Sequence, residues 1–301
     1  MKERIFSPDI ECESCTKVIG KVFKQLQGIE SCTIKGNYID VEYDESLIHR
    51  ENILQAIKSK GYRASLKPYT KKRIVERAKE FMADKKKYAV EYLMLRNISI
   101  TTIILFLLTF LLVKFQFIEK KYLFWLIYQT IAIVFLGGAI WHLKAYRTQF
   151  TSMVGMMIGM TLGMQTGLLI GAVLGATNGF FVGALVGMLL GAAVGAYCGS
   201  CCGIMGIMEG IMAGIMGGTM GAMITFMMFN DNLFLFMPFY VAINILVLIG
   251  LSYMLFEEVV EDNGEVIAKP PRFIKFVSGC TLAWILLTLL MIIAPPSIFL
   301  I

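Results

Sequence analysis

Residues 155–203 read GMMIGMTLGMQTGLLIGAVLGATNGFFVGALVGMLLGAAVGAYCGSCCG, with glycine at 155, 159, 163, 167, 171, 175, 179, 183, 187, 191, 195, 199 and 203. On an α-helix, residues four apart share a face, so this register gives each helix a groove bare of side chains along which another backbone approaches closely. Packing between helices is the expected use; a pore lined by glycine carbonyls and a seam between copies of the chain are the alternatives. The surrounding chain has 301 residues, of which 57% are hydrophobic and 17% charged. Its mean hydropathy is +0.68, more apolar than a soluble core requires. Runs of about 20 residues, long enough to cross a bilayer, lie at 98–117, 122–141, 152–174, 180–197, 204–228, 233–256 and 276–296. Seven membrane-spanning helices are predicted.

Charge divides the chain. Most charged side chains fall before residue 97, and a basic cluster that includes Lys71, Lys72, Arg73, Lys85, Lys86 and Lys87 directly precedes the first apolar run. Such a cluster beside a membrane helix favours the cytoplasmic side and anionic lipid, not nucleic acid. Residues 1–11 are polar, so no cleavable leader is expected. The expected organisation is a soluble domain over 1–67, a basic juxtamembrane helix over 68–96 and a transmembrane domain over 97–301 with a Gly/Met-rich core at 152–228. With the N-terminal domain in the cytoplasm of a plasma-membrane protein, the basic connections at 142–147 and 257–275 fall on the same side. Only Glu119-Lys120-Lys121 runs against the rule.

The soluble segment alternates like half-buried strands at 3–9 and 38–43 and shows helical spacing at 15–27 and 47–60. Gly28 and Gly61 close the helices, and Gly36-Asn37 joins two short strands as a hairpin. With a last strand at Tyr62–Leu66 the order is βαββαβ, an α+β ferredoxin-like plan. In the first loop stands Ile10-Glu11-Cys12-Glu13-Ser14-Cys15, followed by GIESCTIKGNYIDVEYDESLI at 28–48 and ILQAIKSKGY at 53–62. In these motifs residues 3–67 resemble the heavy-metal-associated domain family of copper chaperones, mercury-binding proteins and the tails of metal-pumping ATPases. The resemblance implies that Cys12 and Cys15 bind metal at the start of the first helix, where backbone N–H groups and the helix dipole stabilise thiolates. Thiolates so spaced suit Cu(I), Zn(II), Cd(II) or Hg(II). A redox dithiol is the competing reading, but its usual fold needs a longer βαβ arrangement and a cis-proline. Ile10 stands where the family usually has a buried Met, and Glu11 and Glu13 bring carboxylates that favour a divalent ion. The resemblance also places Tyr62 near the metal as a shield, against a plain strand-edge role, and it puts Cys32 in the core.

Cys198, Cys201 and Cys202 cluster at a predicted bend on the same side as the soluble domain. Seven cysteines in a chain whose thiols face a reducing compartment point to metal or redox chemistry over structural disulfides. Methionines follow at helical spacing: Met153, Met156, Met157, Met160 and Met164 before the bend, then Met205, Met208, Met212, Met216, Met220, Met223 and Met227 after it. Thioethers bind Cu(I) and hardly bind Zn(II), so these stripes read either as a soft-metal path or as adaptable packing. The two Met-rich helices would run parallel, as a duplicated element does. Glu209 is the one carboxylate within these central helices; a charge in lipid costs roughly 3 kcal/mol or more, so it should face protein or water, as a ligand, a proton acceptor or a surface-reaching carboxylate. Cys280 could complete the cluster, but packing is its expected role.

The chain contains no Walker loop and no Asp-Lys-Thr-Gly-Thr segment, so no ATPase is expected, and with His49 and His142 its only histidines no enzyme site is legible. The sequence therefore reads as a membrane protein that passes a soft metal, Cu(I) foremost, from Cys12 and Cys15 to a membrane site of Cys198, Cys201, Cys202, Met205, Met208, Met212 and Glu209. The alternatives are a membrane-anchored metallochaperone or sensor without transport, and a transmembrane thiol:disulfide carrier. Expected partners are the metal ion, the bilayer, another metallochaperone or pump, and a second copy of the chain; nucleic acid is not among them.

Overall fold

The computed structural model describes residues 1–10, 13–66, 68, 88–116, 118–146, 152–228, 231–257 and 272–296, which fall into two compact units. The expected linker helix lies largely outside the described residues. In the N-terminal unit, β1 (Lys2–Phe6), β2 (Ile29–Lys35) and β3 (Tyr38–Tyr43) form an antiparallel sheet of order β1-β3-β2. Helices α1 (Glu13–Gln25) and α2 (Arg50–Lys58) supply Ile19, Phe23, Ile53 and Ile57 to a core shared with Ile5, Ile39 and Val41 of the sheet. Gly28 adopts φ +99° and Gly61 φ +85°, the left-handed conformation that ends a helix cheaply only without a side chain.

The closing strand expected at Tyr62–Leu66 is reduced to one bridge, in which Phe6 and Ser65 exchange hydrogen bonds of 2.8 and 3.0 Å. Two neighbouring residues stop the ladder. In this register Pro8 would face Arg63, and Pro8 has no N–H to give. The Arg63 N–H is instead donated to the Asp9 carboxylate at 2.6 Å.

The helical unit contains α3 (Ala89–Lys114), α4 (Leu123–Ala145), α5 (Ser152–Asn178), α6 (Phe180–Gly199), α7 (Ile204–Met227), α8 (Leu233–Leu255) and α9 (Phe273–Ile293). Among the described residues these seven are long and apolar enough to cross a membrane. Their ends sort into two groups. At one end Tyr88 stacks on Phe256 with ring centres 4.6 Å apart, Lys144 lies over Tyr197 at 5.0 Å, and the Tyr146 hydroxyl donates to Glu91. At the other, Asn178 Nδ2 donates to the Met291 and Ala294 carbonyls at 2.9 and 3.0 Å, and Phe124 meets Phe234 at 5.0 Å. The helices therefore alternate in direction, as a chain crossing back and forth does.

The glycine register closes α5, α6 and α7 on one another. Gly159 and Gly163 of α5 lie against Gly199 and Gly195 of α6, and along the α6–α7 seam Gly199, Gly195, Gly191 and Gly187 face Gly206, Gly210, Gly214 and Gly218 in turn. A Cβ added at Gly163 would stand 2.6 Å from the Gly210 carbonyl oxygen and 3.0 Å from Gly195 Cα. The glycines thus pack backbone on backbone within one chain, which removes the pore and inter-copy readings for this face. Two of them do other work: Gly179 (φ +88°) and Gly203 (φ +77°) make the turns between these helices.

Candidate metal centre

In the N-terminal unit Cys15 is the third residue of α1 and is 1% exposed, packed in the core with Ile10, Ile19 and Tyr62. Its position in the first turn puts the sulfur near backbone N–H groups that favour a thiolate. Glu11 and Cys12, the other half of the CxxC, lie outside the described residues, as does the Glu13 side chain. Ile10 is 4% exposed and fills the loop-supporting place expected of it. The loop is held from behind by Asp9, whose carboxylate accepts hydrogen bonds from the backbone N–H of Arg63 and, at 2.9 Å, from its Nε, and forms a mostly buried ion pair with the same guanidinium. Tyr62, beside Arg63, is a core residue at 3% exposure, not a strand-edge aromatic.

Cys32 corrects an expectation. It is exposed, because β2 is the edge strand of the sheet. Partial burial nevertheless pushes its thiol pKa up, against the opposing pull of Lys24, which disfavours the thiolate a metal needs.

At the bend between α6 and α7, Cys198 is buried in the last turn of α6, while Cys201 and Cys202 occupy a 3-10 turn, with Cys201 exposed and Cys202 half-buried. The sulfurs of Cys201 and Cys202 are 3.7 Å apart, and Cys201 Sγ donates to the Cys198 carbonyl at 3.3 Å. This pair sits over the first turn of α5 at Gly155, where an added Cβ would overlap Cys202 Sγ and lie 3.1 Å from Cys201 Sγ. Lys144, held between Trp141 (4.9 Å) and Tyr197 (5.0 Å), brings a cation to the same end. Gly155 and Lys144 were not legible as site residues. The first shows only as the opening glycine of the register; the second shows only as a basic residue in a connection.

The remaining candidates are separated from the thiols by helical phase. Met205, Met208 and Met212 are 60%, 54% and 60% exposed, and Glu209 is exposed beside them. They lie on the outward face of α7, opposite Gly206, Gly210 and Gly214, and the Met stripe continues outward through Met216, Met220, Met223 and Met227. On α5, Met153, Met157 and Met160 also face outward. Cys280 packs against Gly137 of α4. Among the described residues no three His, Cys, Asp or Glu side chains converge to hold a metal ion.

A small α/β domain with a cysteine at its first helix, joined to seven apolar helices, is the class of protein these features define. Residues 4–63 match the family model of the heavy-metal-associated domain, and the N-terminal unit is such a domain. Neither a curated protein nor a solved structure matches the chain. The chain is therefore a heavy-metal-binding domain carried by a helical unit with the character of an integral membrane protein.

Proposed function

We propose that this protein transfers a soft metal ion, Cu(I) before Zn(II), Cd(II) or Hg(II), between a cytosolic site at Cys12 and Cys15 and a membrane site at Cys198, Cys201 and Cys202. One observation carries the reading: the thiol bend and Tyr88, where the chain enters the helical unit, lie at the same end of that unit. Transfer proceeds by ligand exchange, one thiolate replacing another on the ion. The 3.7 Å separation of Cys201 and Cys202 lets two sulfurs close on one ion by side-chain rotation. Met205, Met208, Met212 and Glu209 offer the next soft donors and a carboxylate along α7. Because that stripe faces outward, an ion following it moves along the outside of the glycine core, against a second copy or another membrane protein. Metal stoichiometry of the purified protein tests the reading. It predicts more Cu(I) per chain in the wild type than in the C198S/C201S/C202S variant, and equal loading of the two would end it.

A second reading, a membrane-anchored metallochaperone or sensor, is favoured by the lack of three convergent His, Cys, Asp or Glu side chains among the described residues. It predicts that all bound metal stays with the N-terminal domain.

A further inference from the structure

The helical unit buries a second chemistry, away from the thiols. Glu91 in the first turn of α3 accepts a hydrogen bond from the Tyr146 hydroxyl, and its Oε1 lies 3.6 Å from His142 Nε2 in the last turn of α4. The side chains of His142 and Glu91 are 5% and 14% exposed. Among the described residues, neither ring nitrogen of His142 has a hydrogen-bond partner, nor has Glu91 Oε2. A carboxylate and an imidazole withdrawn together from water exchange or share a proton at little cost, since one charge offsets the other.

The polar character continues along the same interface. Further along α3, Asn97 and Thr101 share its buried stripe, both 0% exposed, and their side-chain polar atoms have no partners among the described residues. Gln129 of α4 is also buried but turns to α9: its Nε2 donates to Thr288 at 3.0 Å, and its Oε1 has no partner among the described residues. Buried hydrogen-bonding atoms of this kind are groups that internal water satisfies. Ile98 of α3 meets Gly138 of α4, so this stretch of α3 packs against α4.

We propose that Glu91 and His142 form a proton-binding site and that Asn97 and Thr101 carry protons from it along α3. The proposal rests on metal transfer for its purpose. When two thiols take up Cu(I), each S–H bond breaks with its electron pair remaining on sulfur for the new metal–sulfur bond, and two protons leave; nothing is oxidised. An acceptor at the same end of the unit receives one of them and bulk water the other, so the anionic bis-thiolate complex forms beside a compensating positive charge.

Other charged groups on the packed helices are directed elsewhere. Arg96 of α3 and Arg272 and Lys275 beside α9 are exposed, and Lys144 is held by Trp141 and Tyr197. Glu257 beyond α8 is half-buried, Tyr253 of α8 is 37% exposed, Tyr88 stacks on Phe256, and the Cys280 thiol lies on Gly137. Of the chain's ionisable rings, His142 and Tyr146 are the ones placed at Glu91, at 3.6 Å and by a hydrogen bond.

The chain's two histidines make the test nearly site-specific, with exposed His49 as internal reference. Full-length protein labelled with 15N-histidine, in nanodiscs, is titrated between about pH 5 and 8, the range of imidazole chemistry. The pH response of the His142 signals is expected to differ between the wild type and E91Q, while that of His49 is the same in both. A His142 signal indifferent to E91Q overturns the proton site, whatever the metal does. Displacement of the His142 signal by added Zn(II) in the C198S/C201S/C202S variant overturns it too, in favour of a cation site. In liposomes bearing a pH dye, Cu(I)-driven proton movement is expected in the wild type and lost in N97L. Retention in N97L overturns the path. A responsive His142 without any Cu(I)-driven movement supports the proton site and sinks the transfer reading instead.

Discussion

Asp9 grips Arg63 through both its backbone N–H, at 2.6 Å, and its guanidinium, so one carboxylate ties the loop leading to the CxxC motif to the segment that closes the domain. The pair is mostly withdrawn from solvent, with side chains 13% and 10% exposed. Asp9→Asn keeps the shape and removes the charge that orients Arg63. Hydrogen bonds to charged groups contribute about 1.5–3 kcal/mol each. A loss of about 2 kcal/mol in urea unfolding of the N-terminal domain is expected, with weaker metal binding; unchanged stability would show the tie to be passive.

The Gly191 position tests the glycine seam. An added Cβ there would lie 2.8 Å from the Gly214 carbonyl oxygen and 3.0 Å from that of Gly163, both unyielding backbone. Overpacking of this kind costs about 1–3 kcal/mol, so Gly191→Ala should lower the thermal midpoint in detergent. Gly250→Ala on α8, with nothing within 4 Å of the new methyl, should leave it unchanged or raise it.

Thiol reactivity should follow exposure. Cys201 is exposed, Cys202 half-buried, and Cys198 and Cys280 are buried. In single-cysteine variants an impermeant maleimide should modify Cys201 fastest and Cys198 and Cys280 only on unfolding. Reaction in inside-out vesicles alone would place the bend in the cytoplasm; reaction from outside cells would move it to the far side.

The N-terminal sheet carries a small acid dependence. Arg4 donates to Asp40 at 2.7 and 3.2 Å, and Lys2 and Ser31 donate to Glu42 at 2.8 and 2.7 Å; these bonds hold both carboxyl pKa values below the usual range. A depressed carboxyl adds stability that is present above the unfolded pKa, about 4, and is lost as pH falls through the folded one. Melting of the domain should be flat from neutral pH down to about pH 5 and decline below pH 4. R4M should weaken that decline without changing metal stoichiometry.

The seven spans were legible because apolar length is a local property: each predicted run overlaps an observed helix, with ends displaced by up to nine residues, as where α3 begins at Ala89. The glycine period announced close packing, but which glycines meet depends on two turns whose own glycines continue the same spacing. Helical phase was readable and its reference face was not: Met205, Met208 and Met212 share a stripe as predicted, yet the stripe points outward because the glycines claim the inside. The family resemblance puts Cys32 in the core, and it does not reveal that β2 lies at an edge of the sheet here. His142 was read as part of a connection, whereas α4 continues to Ala145 and buries it. Asn97 and Thr101 fall at helical spacing, and only the packing of α3 in the unit shows that their face is buried.

Metal hand-over itself decides the matter most directly. Full-length protein in liposomes, with Cu(I) loaded on the N-terminal domain, should show sulfur and then thioether coordination by X-ray absorption, with Cu(I) appearing across the bilayer. C198S/C201S/C202S should hold the metal at Cys12 and Cys15 with no flux. Equal flux in that variant and the wild type would contradict the account.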